Sequence, residues 1–132
     1  MNPISILVAD DEENIRVLMQ HWLQAAGHTV SLVGNATEGC AALKQQAFDL
    51  VITDVLMPDG DGLNLITEIR KLQPKTRIVA MSGGGRYLHG EDYLKMARGL
   101  GAHAIVTKPF TFQELTAGME QALAPLPERR DR

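Results

Sequence analysis

Asp10, Asp11, Asp54, Ser82 and Lys108 lie far apart in the chain, yet each stands at the end of a short apolar run. Gathered at one place they would make a recognisable chemistry. Clustered carboxylates repel one another and need a cation, and a few hard oxygen donors suit Mg²⁺, which keeps several waters and shares its remaining positions with phosphate oxygens. With Mg²⁺ and a lysine ammonium neutralising charge on a transferring phosphoryl group, a carboxylate can act as nucleophile and form an acyl phosphate. Asp54 is the expected nucleophile, because it ends a run of its own while Asp10 and Asp11 share one acidic loop. The Ser82 hydroxyl can donate to a phosphoryl oxygen, and amides near Gly83 can bind the same group. Taken singly, each residue reads more simply as a solvated loop acid, a turn serine or a surface lysine.

Whether they meet depends on the elements that carry them. The runs ISILVA (4–9), TVSLV (29–33), LVIT (50–53), RIVAM (77–81) and AIVT (104–107) are short, apolar and bounded by turn residues, the pattern of strands buried in a sheet. Between the first two, Ile15, Leu18, Met19, Trp22, Leu23 and Ala26 recur on one helical face from Glu12 to Ala26, and Gly27 supplies the stop. Asn35 with Glu38 begins a second helix that runs to about Gln46. Leu63, Leu65, Ile66, Ile69 and Leu72 stripe a third, with Pro74 beyond it. A fourth is placed between Tyr87 and Leu100 and ends at Gly101. Thr111 with Glu114 caps a fifth, which ends near Ala124.

Strictly alternating strands and helices specify an α/β fold, a doubly wound five-stranded parallel sheet with five helices covering both faces. In such a sheet ligands bind outside the carboxyl ends of the strands, where the strand order reverses. All the chemistry-bearing residues above fall at those ends. One domain over residues 1–124 is expected, with the tail PLPERRDR fraying from 125 to 132 for want of an apolar period.

Composition narrows the function classes. The chain has 132 residues, 45% of them hydrophobic, enough for one core. A net charge of −3 leaves no basic footprint for direct nucleic-acid binding. No stretch approaches the length of a spanning helix and the N-terminus lacks a signal peptide, so no membrane contact and a cytoplasmic location are expected. The single Cys40 is read as a small core residue of the second helix, and the four histidines are isolated, which excludes a zinc site and argues against a phosphohistidine. DGDG at 59–62 lacks the later ligands of a calcium loop and reads as a turn. GGGR at 83–86 lacks the Gly-Lys-Ser/Thr end of a phosphate-binding P-loop.

Nearly the whole chain, from ILVADDEENIR through DLVITDVLMPDGDGLNL and MSG to GAHAIVTKPF, resembles the receiver domains of two-component response regulators. The resemblance implies a flavodoxin-like strand order 2-1-3-4-5. It implies Asp10 and Asp11 as the acidic pair holding Mg²⁺, Asp54 as phosphoacceptor and third carboxylate ligand, and the backbone carbonyl of Leu56 as a further ligand. Ser82 would be the switch hydroxyl, Lys108 the lysine on the phosphoryl group, and Pro109 a cis-proline. The implied partners are a sensor histidine kinase or histidine phosphotransfer protein and a downstream protein target, with the chain itself a monomer or weak dimer. It would catalyse its own phosphoryl transfer and hydrolysis without turning over an external substrate. No output segment follows the last helix in this sequence, so output is expected through protein contacts unless the chain is cut from a longer one.

Two departures from the receiver pattern stand out. Ile105 occupies the place of the usual switch aromatic, so it cannot exchange a polar tip between buried and exposed states. The stretch GGGRYLHGEDY is longer than in chemotaxis-type receivers, and reordering of this glycine loop and the helix it feeds is the expected switch. An aspartate-nucleophile phosphatase of the haloacid dehalogenase type is the enzymatic rival. It requires a second Asp where Leu56 stands and a cap that 132 residues cannot supply. A binding module that is never phosphorylated has no use for three carboxylates at one sheet edge.

Overall fold

Each apolar run becomes a strand of one sheet, and the helices between them lie on its two faces. The computed structural model describes residues 2–57, 62–83, 95 and 97–125. The strands are β1 (Ser5–Ala9), β2 (Thr29–Val33), β3 (Leu50–Asp54), β4 (Arg77–Ser82) and β5 (Ala104–Thr107). They are all parallel, in the order β2-β1-β3-β4-β5. The helices are α1 (Glu13–Ala25), α2 (Ala36–Gln45), α3 (Gly62–Leu72), α4, whose described part is 95 and 97–100, and α5 (Phe112–Leu123). The expected doubly wound five-stranded fold is therefore present.

Side chains that alternate along a strand divide the core into two layers. Leu7, Val51 and Ile78 face Leu43 of α2, Leu65, Ile66 and Ile69 of α3, and Ala97 of α4. Ile6, Val8, Ile52, Val79 and Met81 face Met19 and Leu23 of α1 and Leu115, Met119 and Ala122 of α5. β3 is buried throughout because it is central, whereas the edge strand β2 is half-buried and Thr107 of β5 is exposed. The expectation of strands apolar and buried on both sides thus holds for the inner strands only.

Helix ends follow the local chemistry. Asn35 Oδ1 accepts from the Glu38 N–H at 2.8 Å, and Glu38 reaches back to the N–H of Gly34. Thr111 and Glu114 form a complete capping box. Gly27 and Gly101 adopt φ of 98° and 125°, a left-handed backbone that suits glycine after a helix. The α1 stripe is narrower than its spacing suggests: Leu18 is 38% exposed and Ala26 is exposed. At about 100° per residue Leu18 lies a quarter-turn from Met19, beyond the arc that a sheet can cover. Leu72, the last residue of the α3 stripe, is 39% exposed.

The histidines are not all isolated. At the amino edge of the sheet, the residue preceding a strand turns its side chain onto a backbone N–H of the neighbouring strand. His28 Nδ1 accepts from Ile4 at 3.1 Å, Asp49 Oδ2 from Ser5 at 2.9 Å and His103 Nδ1 from Ile78 at 3.0 Å. These bonds satisfy donors at the point where the sheet ladder stops. Burial holds both imidazoles below their ordinary pKa, with nearby positive charge adding to the effect.

Several expectations fall outside the described residues. They concern the DGDG turn up to position 61, the glycine loop beyond Gly83, the first part of α4, and the tail from 126 onward.

Candidate phosphoryl-transfer site

The loops after β1, β3 and β5 meet at the carboxyl edge, and Lys108 is the residue on which they converge. Its Nζ lies 2.6 Å from Asp10 Oδ2, 3.0 Å from Asp54 Oδ2 and 3.4 Å from Glu12 Oε1. The Lys108 side chain is 11% exposed, Asp10 is fully buried and Asp54 nearly so. The remaining oxygens are held by backbone: Asp10 Oδ1 accepts from the Glu12 N–H at 2.8 Å and Asp54 Oδ1 from the Leu56 N–H at 2.9 Å. Each carboxylate therefore has one oxygen fixed by its own loop and the other turned toward the same cation.

The electrostatics show a site with too little positive charge. Burial raises the pKa of both Asp10 and Asp54, and the hydrogen bonds and charge of Lys108 offset this only in part. The same two aspartates hold Lys108 well above the ordinary lysine value, overcoming its own desolvation. Three carboxylates against one ammonium leave a deficit that a divalent cation would cancel. Asp10, Glu12 and Asp54 offer ligand oxygens that all lie within 4.8 Å of one another. This hard, all-oxygen donor set fits Mg²⁺.

The predicted residues are distributed unevenly around this centre. Asp10, Asp54 and Lys108 come together. Asp11 is exposed and outside the compact acidic group, in which Glu12 takes the place expected for it. Leu56, 37% exposed, contributes its N–H to Asp54. Ser82 is buried at the end of β4, and its carbonyl accepts from the Lys108 N–H at 2.7 Å, tying the lysine's backbone to that strand. Gly83 is exposed beside it. The Lys108–Pro109 peptide is cis, as expected. Ile105 is half-buried against the core layer of α2 and α3, a packing residue.

Three supporting residues were not legible as such. Arg16, on the second turn of α1, donates from Nη1 to the Asp10 carbonyl at 2.8 Å and fixes the acidic loop to its helix. Thr53 Oγ1 donates to the Asp54 carbonyl at 3.0 Å. Gly62, the first residue of α3, packs so closely on β3 that a Cβ there would stand 1.7 Å from the Asp54 carbonyl oxygen. Its N–H also donates to the Val55 carbonyl at 3.2 Å. In the sequence Gly62 is only one of two glycines in a turn.

An open groove of about 390 Å³ adjoins the site, between α1 and the β5–α5 turn, and Leu18, Ile15, Phe110 and Lys108 line it. Trp22 braces this turn from below, its ring 6.3 Å from Phe110 and 5.6 Å from Phe112.

Known proteins share this fold. The response regulator receiver domain model matches residues 6–120. The transcriptional regulator NtrC of Azospirillum brasilense is 39% identical over 123 residues, which are 93% of this chain and 25% of that protein. NtrX from Brucella abortus superposes with a TM-score of 0.83 at 33% identity, covering 92% of this chain and 27% of that one. Chemotaxis protein CheY4 of Vibrio cholerae gives 0.82 at 25% identity, covering 92% of this chain and all of that one. The chain thus spans about a quarter of the length of its NtrC and NtrX relatives. With the matched model, the strand order and the carboxylate–lysine centre in agreement, the chain belongs to the response regulator receiver domain family of two-component systems.

Proposed function

We propose that Asp54 is the phosphoacceptor of this receiver, taking a phosphoryl group from the phosphohistidine of a sensor kinase or phosphotransfer protein with Mg²⁺ bound beside it. The observation that carries the reading is the buried Asp54 carboxylate, fixed at one oxygen by the Leu56 N–H and facing the Lys108 ammonium at the other. Mg²⁺, when bound, supplies charge neutralisation of the transferring group. Asp54 orients an oxygen for in-line attack, Lys108 balances the charge that develops on the phosphoryl oxygens, and Ser82 and Gly83 border the space those oxygens need. The metal would be held by Asp54 and the acidic loop of Asp10, Asp11 and Glu12, with the Leu56 carbonyl as a further donor.

The groove beside Lys108 is the approach for a protein donor, since it joins apolar Ile15, Leu18 and Phe110 directly to the reacting centre. Output is read by protein contacts. Among the described residues no helix is long and apolar enough to cross a membrane. Incubation with acetyl phosphate and Mg²⁺ should add one phosphoryl group, lost in Asp54→Asn; label retained by that variant would overturn the assignment. Leu18→Asp should slow transfer from a protein donor and leave acetyl phosphate labelling unchanged.

A further inference from the structure

A second charged cleft lies at the opposite, amino edge of the sheet. The last turn of α3, the start of β4 and the α4–β5 turn enclose an open groove of about 560 Å³. Arg70, Lys75, Arg77 and His103 line it, three cations and an imidazole on a chain of net charge −3.

Arg70, Arg77 and His103 are held in place by the fold, while Lys75 is exposed at the groove's edge. The stem of Arg70 lies over Gly101, whose left-handed backbone, φ 125°, carries no side chain to displace it; a Cβ there would come within 2.9 Å of Arg70 Cδ. Arg77 is anchored by one N–H, Nη1 donating to the Ala122 carbonyl at 3.1 Å, which leaves the rest of its five-donor fork. His103 accepts the Ile78 N–H through Nδ1, so its neutral ring carries the proton on Nε2 and is a donor. Burial and then the positive field of Arg77 and Arg70 oppose protonation of that ring. Asp49, a carboxylate at this edge, is committed to the N–H and hydroxyl of Ser5. Among the described residues the groove therefore presents donors and positive charge with no lining acid.

From this arrangement we infer a binding site for a compact anion carrying two or more phosphate groups, such as pyrophosphate or the polyphosphate of a nucleotide. Cations that arrive from three segments suit a diphosphate, which spreads several charges over adjacent tetrahedral centres that guanidinium forks match. The inference does not depend on phosphorylation of Asp54, which lies at the other end of β3.

Titration of isotopically labelled protein with sodium pyrophosphate and with ATP, without Mg²⁺, tests it by amide shifts. Saturable shifts are expected at residues 101–103 and at Arg77 with both ligands, with inorganic phosphate at least about tenfold weaker. Arg70→Gln combined with Lys75→Gln should weaken pyrophosphate by about tenfold or more while leaving acetyl phosphate labelling of Asp54 unchanged. Three results would overturn the site: no saturation at these residues, undiminished shifts in the double variant, or shifts confined to the surroundings of Lys108. A DNA oligonucleotide that shifted the same residues while pyrophosphate and ATP did not would also reject a small polyphosphate as the ligand.

Discussion

Lys108 Nζ stands 3.0 Å from Asp54 Oδ2, so the proposed nucleophile and its nearest cation form a buried, hydrogen-bonded ion pair. That pair is shared, because Asp10 takes the same ammonium at 2.6 Å. One charge serves two buried carboxylates. The raised pKa of both aspartates records the cost, since folding disfavours their ionised forms.

Removing one of those charges should stabilise the metal-free fold. Asp54→Asn keeps the shape and an acceptor for the Leu56 N–H, and is expected to raise the free energy of unfolding by about 1 kcal/mol without Mg²⁺. Added Mg²⁺ should raise the melting temperature of the wild type and leave the variant nearly unmoved. Urea and thermal unfolding with and without metal check both parts, and a less stable variant would contradict the charge-deficit account.

The acidic loop offers a second comparison. Glu12 is already engaged with Lys108 at 3.4 Å and its side chain is 61% exposed, while Asp11 is exposed on the same loop. Mg²⁺ affinity, followed by NMR shifts, should fall by about tenfold in Asp11→Asn and by less in Glu12→Gln. The reverse order would assign the metal contact to Glu12.

At Gly62 the strand and helix leave no room for a methyl group. The atom in the way is backbone of Asp54, so the clash cannot be relieved by a side-chain rotation. Gly62→Ala should cost about 1–3 kcal/mol or more and displace the carboxylate, lowering the acetyl phosphate labelling rate together with stability. Gly83→Ala is the control: nothing lies within 4 Å of its Cβ position, and it should leave stability within about 0.5 kcal/mol.

Acid should loosen the amino edge of the sheet. His28 and His103 have pKa values below 6.5 in the folded chain, so the unfolded chain binds more protons below that value. Stability from both is complete above about pH 6.5 and is lost as the pH falls toward the folded values. Protonation would put a hydrogen on each Nδ1 and break its bond from Ile4 or Ile78. Replacing both by Gln, which keeps an acceptor without titrating, should flatten the fall in unfolding free energy between about pH 7.5 and 5.5. An unchanged slope would place the acid sensitivity elsewhere.

The alternation of apolar runs with helical stripes determined the fold, because each run is too short and too β-branched for a helix and each stripe repeats at the helical period. It also put Asp10, Asp54, Ser82 and Lys108 at strand ends, since in a parallel sheet those ends share one edge. Capping at Asn35 and Thr111 was equally local. The tertiary structure decided what depends on distance across the fold. Glu12 rather than Asp11 in the compact acidic group follows from which way a loop turns. Gly62 matters because α3 begins against the backbone of β3, a contact with no periodic signature. His28 and His103 look solitary in the chain because their partners, Ile4 just before β1 and Ile78 in β4, are 24 and 25 residues away. Local pattern carries the period of an element and the chemistry of its ends, while the orientation of a side chain between elements is set by packing, which no short window of residues contains.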